Sequence, residues 1–217
     1  MAPLLILAVN SIATPAGLIQ KYVFVPSQVR EVYLIYLLIN LCALTHTSPV
    51  NPRGTPEPEE RPRHSNKQTK RRPVEEPTPE LPQTILFVPH CRTAALITSL
   101  LSQLPTPIPC TALHSHLSQP ERLKSLSEFR RQKIPLLIAT DVGSRGLDIP
   151  EVQVVINWEV PRVADDYVHR VGRTARAGRS GTAVTFVTEG DVDLVGVLEE
   201  RISASSPRSA WPSDADQ

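Results

Sequence analysis

The chain predicts an α/β fold built on a mostly parallel β-sheet with helices on both faces. Short runs rich in β-branched residues alternate with segments whose apolar positions recur at helical spacing. Two of the runs, TILFV at 84–88 and LLIA at 136–139, are continuously apolar, as strands covered on both faces must be.

Residues 1–13 carry no usable motif. Their apolar run lacks a basic flank, so no signal peptide is expected. Lys21–Val25 reads as a strand stopped by Pro26. Ser27 then caps a helix with apolar positions at Val29, Val32, Tyr33, Tyr36 and Leu37. The run Tyr33–Ile39 is far shorter than the ~20 residues that span a bilayer, so no membrane span is expected.

From 45 to 83 the composition changes. Nine of the 22 prolines fall between Ser48 and Gln83 among charged and polar residues, too little apolar surface to offset ordering, and a disordered insertion is expected. Its Lys67, Lys70, Arg71 and Arg72 read as a solvated charge run, with an import signal or a phosphate contact as the alternative.

After the strand at Thr84–Val88 comes a helix with its stripe at Ala94, Ile97, Leu100, Leu101 and Leu104, then a weaker strand at Ile108–Leu113. Ser118-Gln-Pro-Glu121 has the form of a capping box, so a helix starts there with Leu123, Leu126 and Phe129 inward. Strands follow at Ile134–Ala139 and Val152–Ile156. A helix, irregular near Gly172, lies within Arg162–Arg176, then come a strand at Gly181–Val187 and a helix through Val192, Val195, Leu198 and Ile202. Residues 203–217 form a polar tail.

With 217 residues and a formal charge of +1, the chain has room for one ordinary domain and no global field to recruit a polyanion. Any such binding needs a local patch, and five arginines between Arg162 and Arg179 supply one. Cys42, Cys91 and Cys110 stand far apart without a CxxC pair, so neither a disulfide framework nor a metal site is expected. Arg173 and Arg176 are spaced i,i+3. Guanidinium forks match phosphate oxygens, and two on one helix face can converge on one phosphate; a solvated basic patch is the alternative.

Four groups of residues then stand in a telling order: Thr84–Val88; Gln119 with Arg122; Thr140-Asp141 with Ser144-Arg145-Gly146-Leu147-Asp148; and HRVGRTAR at 169–176. In them the chain resembles the C-terminal RecA-like lobe of the DEAD-box ATP-dependent RNA helicases, matching motif IV, the Q-x-x-R element, motif V and motif VI. The entry segment Thr14–Pro26 extends the resemblance over 14–202, the insertion excluded. The pattern is most similar to nucleolar, ribosome-biogenesis members. Ser115, Ser144 and Trp158-Glu159 depart conservatively from the family pattern.

The resemblance implies a RecA-like sheet and two sets of site residues. Arg173 and Arg176 would be arginine fingers on ATP, Asp148 the ribose acceptor, and His169 a link between nucleotide and RNA. Turn or structural roles are the alternatives for Asp148 and His169. Gln119, Arg122, Thr140 and Gly143 would contact RNA sugar and phosphate without reading bases, and Arg145 would tie the RNA side to the ATP side. Arg170 would be structural or interlobe. The family's GxxxxGK[ST] phosphate loop and D-E-A-D box, which cradle the phosphates and hold Mg²⁺, do not occur in these 217 residues. The expectation is a monomer, inactive alone, that works with an N-terminal RecA-like lobe on pre-ribosomal RNA in the nucleus, in the nucleolus. A non-enzymatic RNA- or partner-binding lobe is the competing function.

Overall fold

The computed structural model describes residues 6–9, 17–44, 81–144, 146–175 and 180–205. Most of the expected insertion, the polar tail beyond 205, Arg145 and Arg176 therefore lie outside the described residues.

In chain order the elements are β1 (Ile6–Val9), β2 (Leu18–Phe24), α1 (Arg30–Leu44), β3 (Thr84–Phe87), α2 (Cys91–Ser102), β4 (Cys110–Leu113) and α3 (Gln119–Arg130). They continue with β5 (Leu136–Ala139), the single turn α4 (Asp141–Ser144), β6 (Val154–Asn157), α5 (Ala164–Val171), β7 (Gly181–Val187) and α6 (Val192–Ser205). The sheet order is β1-β2-β7-β6-β3-β5-β4. The six strands from β2 to β4 pair in parallel, and β1 alone is antiparallel, against β2. Central β3 sets the register: Thr84 faces Leu136 on one side and Val154 on the other.

Alternation along the strands divides the core. Leu86, Ile138, Ile156 and Phe186 point to one face, where α1 and α2 cover them with Leu34, Leu38, Ala94 and Ile97. Ile85, Phe87, Leu137 and Val155 point to the other, against Leu126 and Phe129 of α3. On that second face α5 and α6 close the β7 end, with Tyr167, Val171, Leu198 and Ile202 around Tyr22 and Ala183.

Four sequence expectations are corrected. β1 is an edge strand within the segment that carried no motif; its register is set by pairing with β2, which periodicity over four residues cannot reveal. Leu81, placed in the insertion by composition, is buried in the α1–α2 core. α1 is apolar on nearly every side, so its spacing could not say which side faces inward. The sheet takes Leu34, Leu38 and Leu41, and leaves Val32 61% and Tyr36 49% exposed. Leu123 is 52% exposed, and α3 gives Leu126 and Phe129 to the core instead.

Gly181 starts β7 where a Cβ would lie 2.0 Å from Thr174 Oγ1 and 2.6 Å from the Ala175 nitrogen. Backbone cannot yield there. Gly181→Ala is expected to lower stability by about 1–3 kcal/mol, read from urea unfolding midpoints.

Burial, followed by the charge of Glu199, pushes the Tyr22 phenol up to about 12. Burial likewise pushes up the Tyr167 phenol, whose hydroxyl donates to Gln20 Oε1. Raised acids stabilise the fold fully below their ordinary value near 10, and that contribution is lost as pH climbs through the folded-state value. Stability should therefore fall between about pH 10 and 12, and Tyr22→Phe should flatten that limb in urea midpoints taken across the range.

Candidate functional site

β5 ends at Ala139, and the chain turns at once into α4. Thr140 caps this turn: its Oγ1 accepts the Gly143 N–H at 3.2 Å, and its carbonyl accepts the Ser144 N–H at 3.0 Å. The Thr140 N–H donates to the Leu113 carbonyl at 3.1 Å, binding the turn to the end of β4. A Cβ on residue 143 would sit 2.5 Å from His114 Cα and 2.7 Å from the Leu113 oxygen. Only glycine lets the two segments approach so closely.

The start of α3 meets the same turn. Ser118 donates its N–H (2.7 Å) and its hydroxyl (2.6 Å) to the Glu121 carboxylate, which holds that carboxyl below its usual range. Arg122 then reaches across, donating from Nη2 to the Gly143 carbonyl at 2.8 Å and from Nη1 to Gln119 Oε1 at 3.3 Å. Gln119, Arg122, Thr140 and Gly143 thus form one hydrogen-bonded unit. Arg122 acts as a brace, and the Gly143 N–H is already taken; the Thr140 hydroxyl retains its proton to donate. Beside them the His114 imidazole is held below its ordinary range, first by burial and then by His116.

Asp141 opens α4 and stands between two clefts at the carboxyl ends of the strands. The larger, about 810 Å³, lies between α2 and α4, with Arg92, Thr93, Ser115, His116 and Thr140 on its walls. Sequence reasoning missed Arg92 and His116. A signal existed for Arg92: a cation in the first turn of a helix opposes the macrodipole, so it needs some other reason to be there. The smaller cleft, about 230 Å³, lies between α4 and α5 and is lined by Asp166, His169, Arg170 and Arg173 together with Ser144 and Gly146.

Arg170 joins the two sides. Its Nε donates to Asp141 Oδ1 at 2.9 Å and its Nη2 to Oδ2 at 2.6 Å, while Nη1 donates to Asn157 Oδ1 at 3.3 Å. The guanidinium lies 5.3 Å over the Phe87 ring. Its side chain is 7% exposed against 27% for Asp141, so this is a nearly desolvated ion pair in bidentate geometry.

Of the expected nucleotide-site residues, His169 and Arg173 meet in the smaller cleft. Arg173 does not sit on the helix. α5 stops at Val171, the Gly172 N–H closes its last turn on the Val168 carbonyl at 2.8 Å, and Arg173 lies in the turn that follows. Arg173 is therefore presented by a turn and not by a helix, and Arg176 lies outside the described residues. Asp148 does not line this cleft: its carbonyl and its Oδ2 accept Arg130 Nη2 at 2.6 and 3.0 Å, in an exposed pair at the end of α3. Among the described residues no cluster of three or more His, Cys, Asp or Glu is placed to hold a metal, and no helix is long and apolar enough to cross a membrane.

Residues 78–178 match the helicase conserved C-terminal domain. The chain is 42% identical over 218 residues to the ATP-dependent RNA helicase DBP8 of Mycosarcoma maydis, covering 94% of this chain and 41% of that protein. Its fold is similar to a DEAD-box protein from Methanococcus jannaschii (TM-score 0.60, 27% identity, 83% of this chain and 39% of that one). It is also similar to S. cerevisiae Dbp5 L327V bound to RNA and ADP BeF3 (TM-score 0.51, 30% identity, 58% of this chain and 33% of that one). The chain spans less than half the length of these relatives.

Removing one partner of a buried ion pair leaves the other charge uncompensated. Arg170→Ala is expected to cost about 3–5 kcal/mol in urea unfolding, and Arg170→Lys to recover only part of it, because an ammonium cannot make the fork.

Proposed function

The chain belongs to the DEAD-box ATP-dependent RNA helicases, as their C-terminal RecA-like lobe; from that premise we propose that it binds RNA in the cleft between α2 and α4 and supplies arginines to ATP in the cleft between α4 and α5. The observation that carries this reading is the pair of clefts meeting at Asp141, each with the donors its ligand needs.

On the RNA side, Arg92 and the Thr140 hydroxyl face the larger cleft as donors for phosphate and sugar oxygens. The Gln119–Arg122–Gly143 unit fixes the wall behind them. Such contacts ignore base identity, so binding is sequence-independent and weakens with salt. On the ATP side, Arg173 lines the smaller cleft with His169, and Arg176 follows three residues on. Their fixed positive charge stabilises the charge that develops as the terminal phosphoryl group transfers. Asp148, once released from Arg130, is the acceptor for the ribose hydroxyls, and Arg145 carries contact between the two sides. ATP is the substrate and drives closure. The Mg²⁺ that accompanies it is assigned to the N-terminal lobe, which also carries the phosphate loop missing from these 217 residues. Resemblance to nucleolar, ribosome-biogenesis members supports pre-ribosomal RNA as the target and the nucleolus as the location.

The missing phosphate loop favours a second reading, an RNA- or partner-binding lobe that does not hydrolyse ATP by itself. One assay separates the two. The purified chain, mixed with an N-terminal lobe of the family, is tested for ATP hydrolysis with and without single-stranded RNA. RNA-stimulated hydrolysis is expected only in the mixture, and Arg173→Ala or Arg176→Ala should reduce it by on the order of 10³. Stimulated hydrolysis that survives both substitutions defeats the arginine assignment; RNA binding without hydrolysis in any mixture supports the second reading.

A further inference from the structure

A buried row of polar groups runs through the second face of the sheet, and its middle member belongs to none of the matched motifs. Asn157, the last residue of β6, is 0% exposed and lines neither cleft. Its Nδ2 donates to Thr185 Oγ1 on β7 at 3.0 Å, and its Oδ1 accepts Arg170 Nη1 at 3.3 Å. The other two contacts of Arg170 grip Asp141, the one residue common to both cleft linings.

We propose that Asn157 is a positioning residue that couples the cleft between α2 and α4 to the His169–Arg173 end of the cleft between α4 and α5. This rests on reading those clefts as the RNA and nucleotide sites. A guanidinium held only at Nε and Nη2 can swivel about its carboxylate partner; an acceptor on Nη1 locks its plane. Asn157 provides that acceptor in one orientation alone. Were the amide flipped, its NH₂ would face Nη1, donor against donor, so the guanidinium fixes the amide's orientation, and the Thr185 hydroxyl, able to donate or accept, accepts from Nδ2 and anchors it. The row therefore has one arrangement in which donors meet acceptors throughout, and in a low-dielectric interior that makes it stiff. A displacement of Asp141 by RNA in the larger cleft then moves Arg170 and α5 as a unit, and with them His169 and the turn that carries Arg173.

The test uses the full chain, ¹⁵N-labelled and titrated with single-stranded oligouridylate. In the unsubstituted chain, amide shifts are expected at Thr93 and Gly143, which flank the larger cleft, and also at His169 and Arg173. In Asn157→Leu the first pair should shift as before, with RNA affinity within threefold, while shifts at His169 and Arg173 fall at least fivefold. Asn157→Asp keeps an acceptor for Arg170 and lets Thr185 donate, so it should restore them. Undiminished shifts at His169 and Arg173 in Asn157→Leu overturn the proposal, as does failure of Asn157→Asp to restore them, which would leave Asn157 a packing role. Should Asn157→Leu not fold, Thr185→Val removes the hydroxyl that anchors the Asn157 amide; at least a twofold loss is expected, and no loss overturns the proposal equally. Shifts confined to Thr93 and Gly143 in the unsubstituted chain defeat this inference alone, whereas no shifts anywhere defeat the RNA reading along with it.

Discussion

The arginine at position 170 is almost entirely removed from water, and a charge in that position is tolerable only if its guanidinium nitrogens find partners. Asp141 meets two of them, Asn157 a third, and the face of Phe87 lies against the guanidinium plane. These partners come from β3, α4 and β6, so satisfying one side chain on α5 pins that helix to three other elements at once. The partition into two clefts follows. Asp141 can stand as a wall between them only because Arg170 holds it from behind, and the turn bearing Arg173 begins where the pinned helix ends.

Topology decides why the clefts lie where they do. From central β3 the chain first builds outward through α2 to β4, then returns to β5 and crosses to β6 and β7 on the other side. Loops leaving the carboxyl ends of neighbouring strands diverge around such a reversal and leave a crevice. The larger cleft is walled by the segments after β3, β4 and β5, and the smaller by Phe87 at the end of β3, the segment after β5, and α5 with the turn that follows it. Gly143 matters here because any side chain would push the α4 turn off the end of β4 and open the boundary between them.

Much of the architecture was legible beforehand. The buried strands at Thr84–Val88 and Leu136–Ala139 read clearly, since a strand covered on both faces is a continuous apolar run, whatever its neighbours. The start of α3 was equally plain, because a capping box is satisfied within four residues. Reading failed where the deciding partner was distant. α1 is apolar all round, so only the sheet could choose its inward side. β1 is too short for any period to register. Leu123 has helical spacing but stays exposed.

The site divides in the same way. Sequence alone determined that this is a parallel α/β lobe with phosphate-matching arginines and polar turns after its strands, because those properties reside in residue type and local spacing. Which of those groups face a cleft and which are spent on one another was settled only by the tertiary structure. Arg122 braces Gly143, Asp148 pairs with Arg130, and Arg173 leaves its helix at Gly172. The reason is physical: a hydrogen bond between residues 21 or 29 positions apart depends on where the sheet carries each end, and no local pattern encodes that.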